Sequence, residues 1–142
     1  MLKLHVLASG SKGNAAIVEN AATGAGVLID CGICKRDFLE RCDEAGFDPT
    51  RLEAVFITHE HGDHTKGLGV VLRGLAKLGC APMVYVNRAC VDNSSTLQKI
   101  AGDFETTTLG GALTLSQDEN ASEGRNEASV CDERVVCAAG LR

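Results

Sequence analysis

Aromatic side chains are scarce: the 142 residues include no Trp, one Tyr and four Phe. So few flat rings leave little surface on which unpaired bases could stack, which argues against a stacking platform for single-stranded nucleic acid. Long apolar runs are missing too. None approaches the roughly 20 residues that a membrane-spanning helix needs. Met1-Leu2-Lys3-Leu4-His5 passes straight into alternating sequence instead of the apolar stretch of an export signal. The expectation is a cytoplasmic chain with no membrane partner. Positive charge is in deficit, with Lys+Arg 14 against Asp+Glu 19 and a formal net charge of −5. That balance does not suit a general nucleic-acid coat protein, although it allows a local basic patch.

Cysteine is plentiful but odd in number, with seven in the chain. In a reducing compartment no disulfide framework is expected. Cys31-Gly-Ile-Cys34 has the spacing of zinc ribbons and redox motifs. A four-ligand site needs a second pair, and Cys131 and Cys137, with five residues between them, are too loose to supply one. These cysteines are therefore read as small buried hydrophobes rather than ligands. With 44% hydrophobic and 23% charged residues, the composition is that of one globular domain.

Leu2 to Leu7 alternates with period two, Ala15 to Glu19 resumes a strand-like run, and Val27 to Asp30 is an apolar strand. Short links rich in Gly, Asn and Ser join them, which predicts an antiparallel meander. Phe38, Leu39, Cys42 and Ala45 then share one helical face, with Gly46 as its stop. Asp48-Pro49 reads as a cap and first helical position. Ala54 to Thr58 fits a buried strand, and Leu68, Val71, Leu72, Leu75 and Leu78 mark an amphipathic helix ended by Gly79. Met83 to Val86 predicts a strand, 91–100 a weaker helix, and 110–115 one more strand. Residues 117–133 are polar, mostly acidic and without a period, so a poorly ordered tail is expected there.

The chemistry is concentrated in Thr58-His59-Glu60-His61-Gly62-Asp63-His64, which holds three of the four histidines. Neutral imidazole and carboxylate oxygen are the donors that zinc and similar divalent ions prefer. Leaving a strand at Thr58, His59 and His61 can converge from alternate positions while Asp63 and His64 reach a neighbouring point. Gly62 is expected to supply the tight bend between the two pairs. Asp30 has two readings, a partner of this loop or a turn residue at a strand end. Ser9 to Asn14 also has two: a hairpin turn, or a loop whose backbone N–H groups and Lys12 meet a phosphate. His5, alone on its strand, is expected to be structural.

His59-x-His61-x-Asp63-His64 resembles the signature of the metallo-β-lactamase superfamily of metal-dependent hydrolases. Val27-Leu-Ile-Asp30-Cys31-Gly32 is similar to the family's upstream Asp motif. Leu7-Ala-Ser-Gly-Ser-Lys-Gly-Asn14 resembles the opening of its YycJ-type, exonuclease-like branch. The resemblance runs from Met1 to about Phe104. It implies an α/β (α+β) fold: the N-terminal half of an αββα sandwich, a mixed and mostly antiparallel sheet with helices on one face. Residues 1–108 would form this half, and 109–142 a divergent tail.

Carried over by position, His59 and His61 would bind one metal and Asp63 and His64 a second, with Zn²⁺ or Mn²⁺ as the ions. Asp63 would also take a proton, Asp30 would brace the histidine loop, and Ser11, Lys12, Gly13 and Asn14 would contact phosphate. DNA or another phosphodiester would be the substrate. The family usually draws further ligands from its second half, yet no histidine follows His64. A C-terminally truncated chain is thus expected, holding one ion or none in place of two. The competing reading is a non-catalytic remnant that binds one metal weakly. Either way a half-sandwich would leave one sheet face uncovered, a surface for self-association.

Overall fold

The alternating N-terminal segments do fold back on one another. The computed structural model describes residues 1–110; the expected strand over 110–115, apart from its first residue, and the tail beyond it lie outside the described residues. Strands β1 (Leu2–Ala8), β2 (Ala15–Asn20) and β3 (Gly26–Cys31) form the antiparallel meander. Strands β4 (Leu52–Ile57), β5 (Met83–Asn87) and β6 (Thr106–Leu109) then add in parallel, giving one mixed six-stranded sheet in chain order.

Parallel neighbours need crossovers, and helices supply them. Helix α1 (Lys35–Ala45) ends where Gly46 turns left-handed at φ 74, so that its N–H reaches Asp43 and that of Phe47 reaches Cys42. The Pro49–Arg51 turn that follows is capped by Asp48, whose carboxylate accepts from the Thr50 N–H at 2.9 Å. Helices α2 (Gly62–Thr65) and α3 (Leu68–Lys77) lead from β4 to β5. The single weak helix expected over 91–100 is two: α4 (Arg88–Asp92), capped by Asn87, and α5 (Ser95–Asp103), capped by Ser94. Two good N-caps so close together stop one helix and start another, which periodicity alone does not register. Strand β6 was not expected either, because its run of threonines lacks apolar alternation.

The helices cover one sheet face. Ile17, Leu28, Val55 and Val84 point from the strands into a core with Phe38, Val71, Leu75 and Leu97. The opposite face is apolar from β1 to β5, where Leu4 pairs with Val18, Val18 with Val27, Val27 with Ala54, and Phe56 with Tyr85, and ends on Thr107 of β6. Phe56 and Tyr85 stack at 5.0 Å between centroids. Only Val27 and Ala54 are buried in this second cluster, and Leu2, Leu4 and Val6 remain 57%, 66% and 60% exposed. The uncovered face of a half-sandwich is therefore present among the described residues.

The cysteines divide by burial. Cys31 and Cys42 lie in the core, and burial pushes both thiols up to about 12 from the ordinary 9.0. Cys34, at the N-terminus of α1, is exposed. Alkylation of the native chain near neutral pH, mapped by mass spectrometry, should label Cys34 and spare Cys31 and Cys42 until the chain is denatured. The buried thiols stay neutral to higher pH in the fold than in the open chain. Their contribution to stability is thus complete below 9.0 and lost as pH rises towards 12, measurable by denaturant unfolding along that series.

Candidate metal centre

The site lies beyond the C-terminal ends of the adjacent parallel strands β3 and β4. Asp30, near the end of β3, takes φ 60, a left-handed conformation that a short polar side chain tolerates. Its buried carboxylate faces the residue that leaves β4. One oxygen accepts from the Thr58 N–H at 2.8 Å; the other accepts from the Thr58 hydroxyl at 2.6 Å and from His64 Nδ1 at 2.7 Å. Thr58 Oγ1 is also 3.0 Å from His59 Nδ1. Asp30 thus holds both ends of the 58–64 segment, its charge stabilised by three donors. With Nδ1 of His64 donating to Asp30, Nε2 keeps its lone pair as a potential ligand, 3.3 Å from the Asn14 amide. Thr58, which ties His59 to Asp30, was not singled out in the sequence; a hydroxyl next to an imidazole carries no distinctive signal there.

The segment is not all loop. His61 serves as N-cap of α2, and this helical turn, not a glycine bend, carries Asp63 and His64 round to the centre. Gly62 does not have a positive φ, and a β-carbon there would meet nothing within 4 Å, so the bend expected of it is not needed. The close approach falls instead at Gly32, where a β-carbon would lie 1.8 Å from the Asp63 carbonyl oxygen.

Asn14 ties the β1–β2 turn to the same residue. Its backbone N–H donates to the Asp63 carbonyl at 2.8 Å, its side-chain amide lies 3.2 Å from Asp63 Oδ2, and its carbonyl accepts from Gly32 N–H at 2.9 Å. Of the other residues expected at phosphate, Ser11 and Lys12 are exposed on this turn and Gly13 is buried. His5 bonds to Glu19 at 2.6 Å, away from the centre.

The donor atoms of His59, His61 and Asp63 all lie within 4.8 Å of one another. The His59 ring centroid is 4.6 Å from that of His61 and 3.9 Å from that of His64, and His64 Nε2 is 3.5 Å from Asp63 Oδ2. Asp30, His59 and His64 meet the same 4.8 Å measure, but both Asp30 oxygens are already engaged by Thr58 and His64. Glu60 belongs to neither of these donor groups. A hydrogen bond from its own backbone, aided by the Cys90 thiol, holds its carboxyl below the usual range, and burial together with the Glu60 charge pushes the Cys90 thiol up. Imidazole nitrogens and a carboxylate converging in this way form a donor set that fits a divalent cation.

Residues 9–79 match the metallo-beta-lactamase superfamily, and the chain belongs to that family. Over 101 residues it is 38% identical to the exodeoxyribonuclease WalJ of Streptococcus pneumoniae, covering 69% of this chain and 35% of that protein. Over 72 residues it is 36% identical to the exodeoxyribonuclease YycJ of Bacillus anthracis, covering 51% of this chain and 26% of the relative. The chain therefore spans roughly a third or less of the length of these relatives. Its fold is similar to that of a putative metallo-beta-lactamase from Thermotoga maritima, at TM-score 0.56 and 17% identity, over 81% of this chain and 62% of the other. It is similar also to the short form of human tRNase Z, at TM-score 0.53 and 18% identity, over 82% and 47%.

Replacing Asp30 with Asn puts an amide donor where two donors now converge. Asp30→Asn should weaken zinc binding by about 10- to 100-fold, measured by competition with a chelating dye.

Proposed function

We propose that this chain serves a metal-dependent, nuclease-like hydrolase centre whose substrate is a phosphodiester of DNA. The observation that carries the reading is the convergence of His59, His61 and Asp63 beside a His64 oriented by buried Asp30. His59 and His61 would hold one cation, zinc or manganese, and Asp63 and His64 a second. Bound there, such ions supply Lewis acidity towards a phosphoryl oxygen and bring the pKa of water close to 7. The Asn14 amide donates to Asp63 Oδ2, the atom that would take the proton of an attacking water. Asp30 engages Nδ1 of His64, so that Nε2 would be the nitrogen offered to a cation. Ser11, Lys12, Gly13 and Asn14 would lie on the phosphate side of this centre.

The match to relatives named as exodeoxyribonucleases supports DNA as the substrate class. Among the described residues no helix is long and apolar enough to cross a membrane, and a cytoplasmic setting goes with the proposal. A second reading, a non-catalytic chain holding one ion weakly, is favoured by the donor geometry: among the described residues His59, His61 and Asp63 form the one three-donor group that does not use the already engaged Asp30. Two histidines and one carboxylate leave part of that single ion's coordination to water or outside ligands, which lowers affinity.

Metal content and cleavage separate the two. Loaded with Zn²⁺ or Mn²⁺, the chain should bind about two ions and cleave DNA, with turnover lost in His61→Ala. One loosely held ion without turnover would establish the second reading, and cleavage of a β-lactam but not of DNA would overturn the nuclease assignment. The uncovered sheet face is the proposed surface for self-association. Sedimentation should show a concentration-dependent dimer that Leu4→Lys, on the exposed edge strand of that face, converts to monomer.

A further inference from the structure

A groove of ≈ 730 Å³ runs along the outer side of the β1–β2 turn, between the start of α1 and the residue after α2. Its walls carry Lys12, Arg41 and Lys66 against a single acid, Asp37. Asp37 is itself 3.7 Å from Arg36, while among the described residues Lys12 and Lys66 form no ion pair. In a chain of net charge −5 this is a local concentration of positive charge. The turn adds backbone donors. Gly10 and Gly13 N–H groups are engaged within the turn, whereas those of Ser11 and Lys12 have no acceptor among the described residues.

The groove adjoins the metal centre. Gly13 and Gly32 line it, and Asn14 and Gly32 contact Asp63 from the other side. No aromatic ring lines it, so it has nothing on which to stack a base. Its volume is about two dozen times that of one water molecule in the liquid, more than a lone phosphate requires.

We propose that this groove is the track for the sugar–phosphate backbone of a DNA strand next to the bond being cleaved. Lys12 and Lys66 neutralise successive phosphates, and the turn N–H groups fix the strand's position without reading its sequence. The proposal rests on the hydrolase reading above for its choice of DNA. Its test needs no cleavage, so the two can fail separately.

The experiment is anisotropy of a fluorescein-labelled single-stranded oligonucleotide with the full chain, in EDTA, over a series of salt concentrations. The unsubstituted chain should bind, and K12A/K66A should bind more weakly. Loss of two phosphate contacts should lower the slope of log affinity against log salt by about 1.4, roughly 0.7 for each. K77A/K99A removes the same charge from exposed lysines elsewhere and should leave the slope unchanged. Absence of binding, equal slopes in all three proteins, or equal losses in both double variants would each overturn the proposal. So would competition by inorganic tripolyphosphate as effective, phosphate for phosphate, as an unlabelled oligonucleotide, because that describes a small-anion site. Binding through the groove without cleavage would overturn the hydrolase reading and leave this one standing.

Discussion

The site depends on one buried carboxylate. Asp30 is held in a left-handed conformation at the end of β3, and from there it receives the backbone and hydroxyl of Thr58 and the ring of His64. A negative charge removed from water is costly unless donors surround it, and here the donors belong to the segment that must be positioned. The requirement to satisfy Asp30 therefore also orders the histidines. The parallel pairing of β3 with β4 makes this reachable, because it brings the two strand ends to the same edge of the sheet. The centre is a consequence of strand direction as much as of the residues themselves.

Much of this was legible in the sequence, for reasons that can be named. The meander, α1 with its glycine stop and α3 follow from apolar periodicity; Phe38, Cys42, Leu68, Val71, Leu72 and Leu75 are buried as their patterns mark, whereas Leu39, Leu78 and the alternating Leu2, Leu4 and Val6 stay exposed. The histidine cluster was visible because donors of one chemical kind are concentrated there. What escaped depends on contacts between distant segments or on local hydrogen bonding. Gly32 looks like an ordinary turn glycine until Asp63 is placed against it, and Asn14 looks like a hairpin residue until its amide is seen at the same carboxylate. Gly62 misled in the opposite direction, since a glycine amid ligands suggests a bend that one helical turn already provides. Strand β6 was hidden because threonine suits an edge without announcing which face is buried.

The two sheet faces meet different demands. One is sealed by three crossovers, and the other stays apolar from Leu4 to Tyr85, with neither helix nor charge upon it among the described residues. Interior-facing strand residues of this kind are ordinarily matched by another apolar layer. The candidate metal-binding edge is assembled without that layer, since His59 and His64 are oriented from β3, β4 and the residues that follow them, and by Asn14 of the β1–β2 turn, whose amide lies 3.3 Å from His64 Nε2.

The fastening of Asn14 to Asp63 makes two surfaces of the molecule interdependent. The turn that carries Lys12 on its outer side grips, on its inner side, a carboxylate of the cation-binding cluster. Whatever stiffens or displaces the turn must alter the freedom of Asp63. By thermodynamic reciprocity, whatever fixes Asp63 must change by the same factor the ease with which the turn accepts a guest. Occupancy at the edge and at the outer wall would then rise and fall together, even though no atom is shared between them.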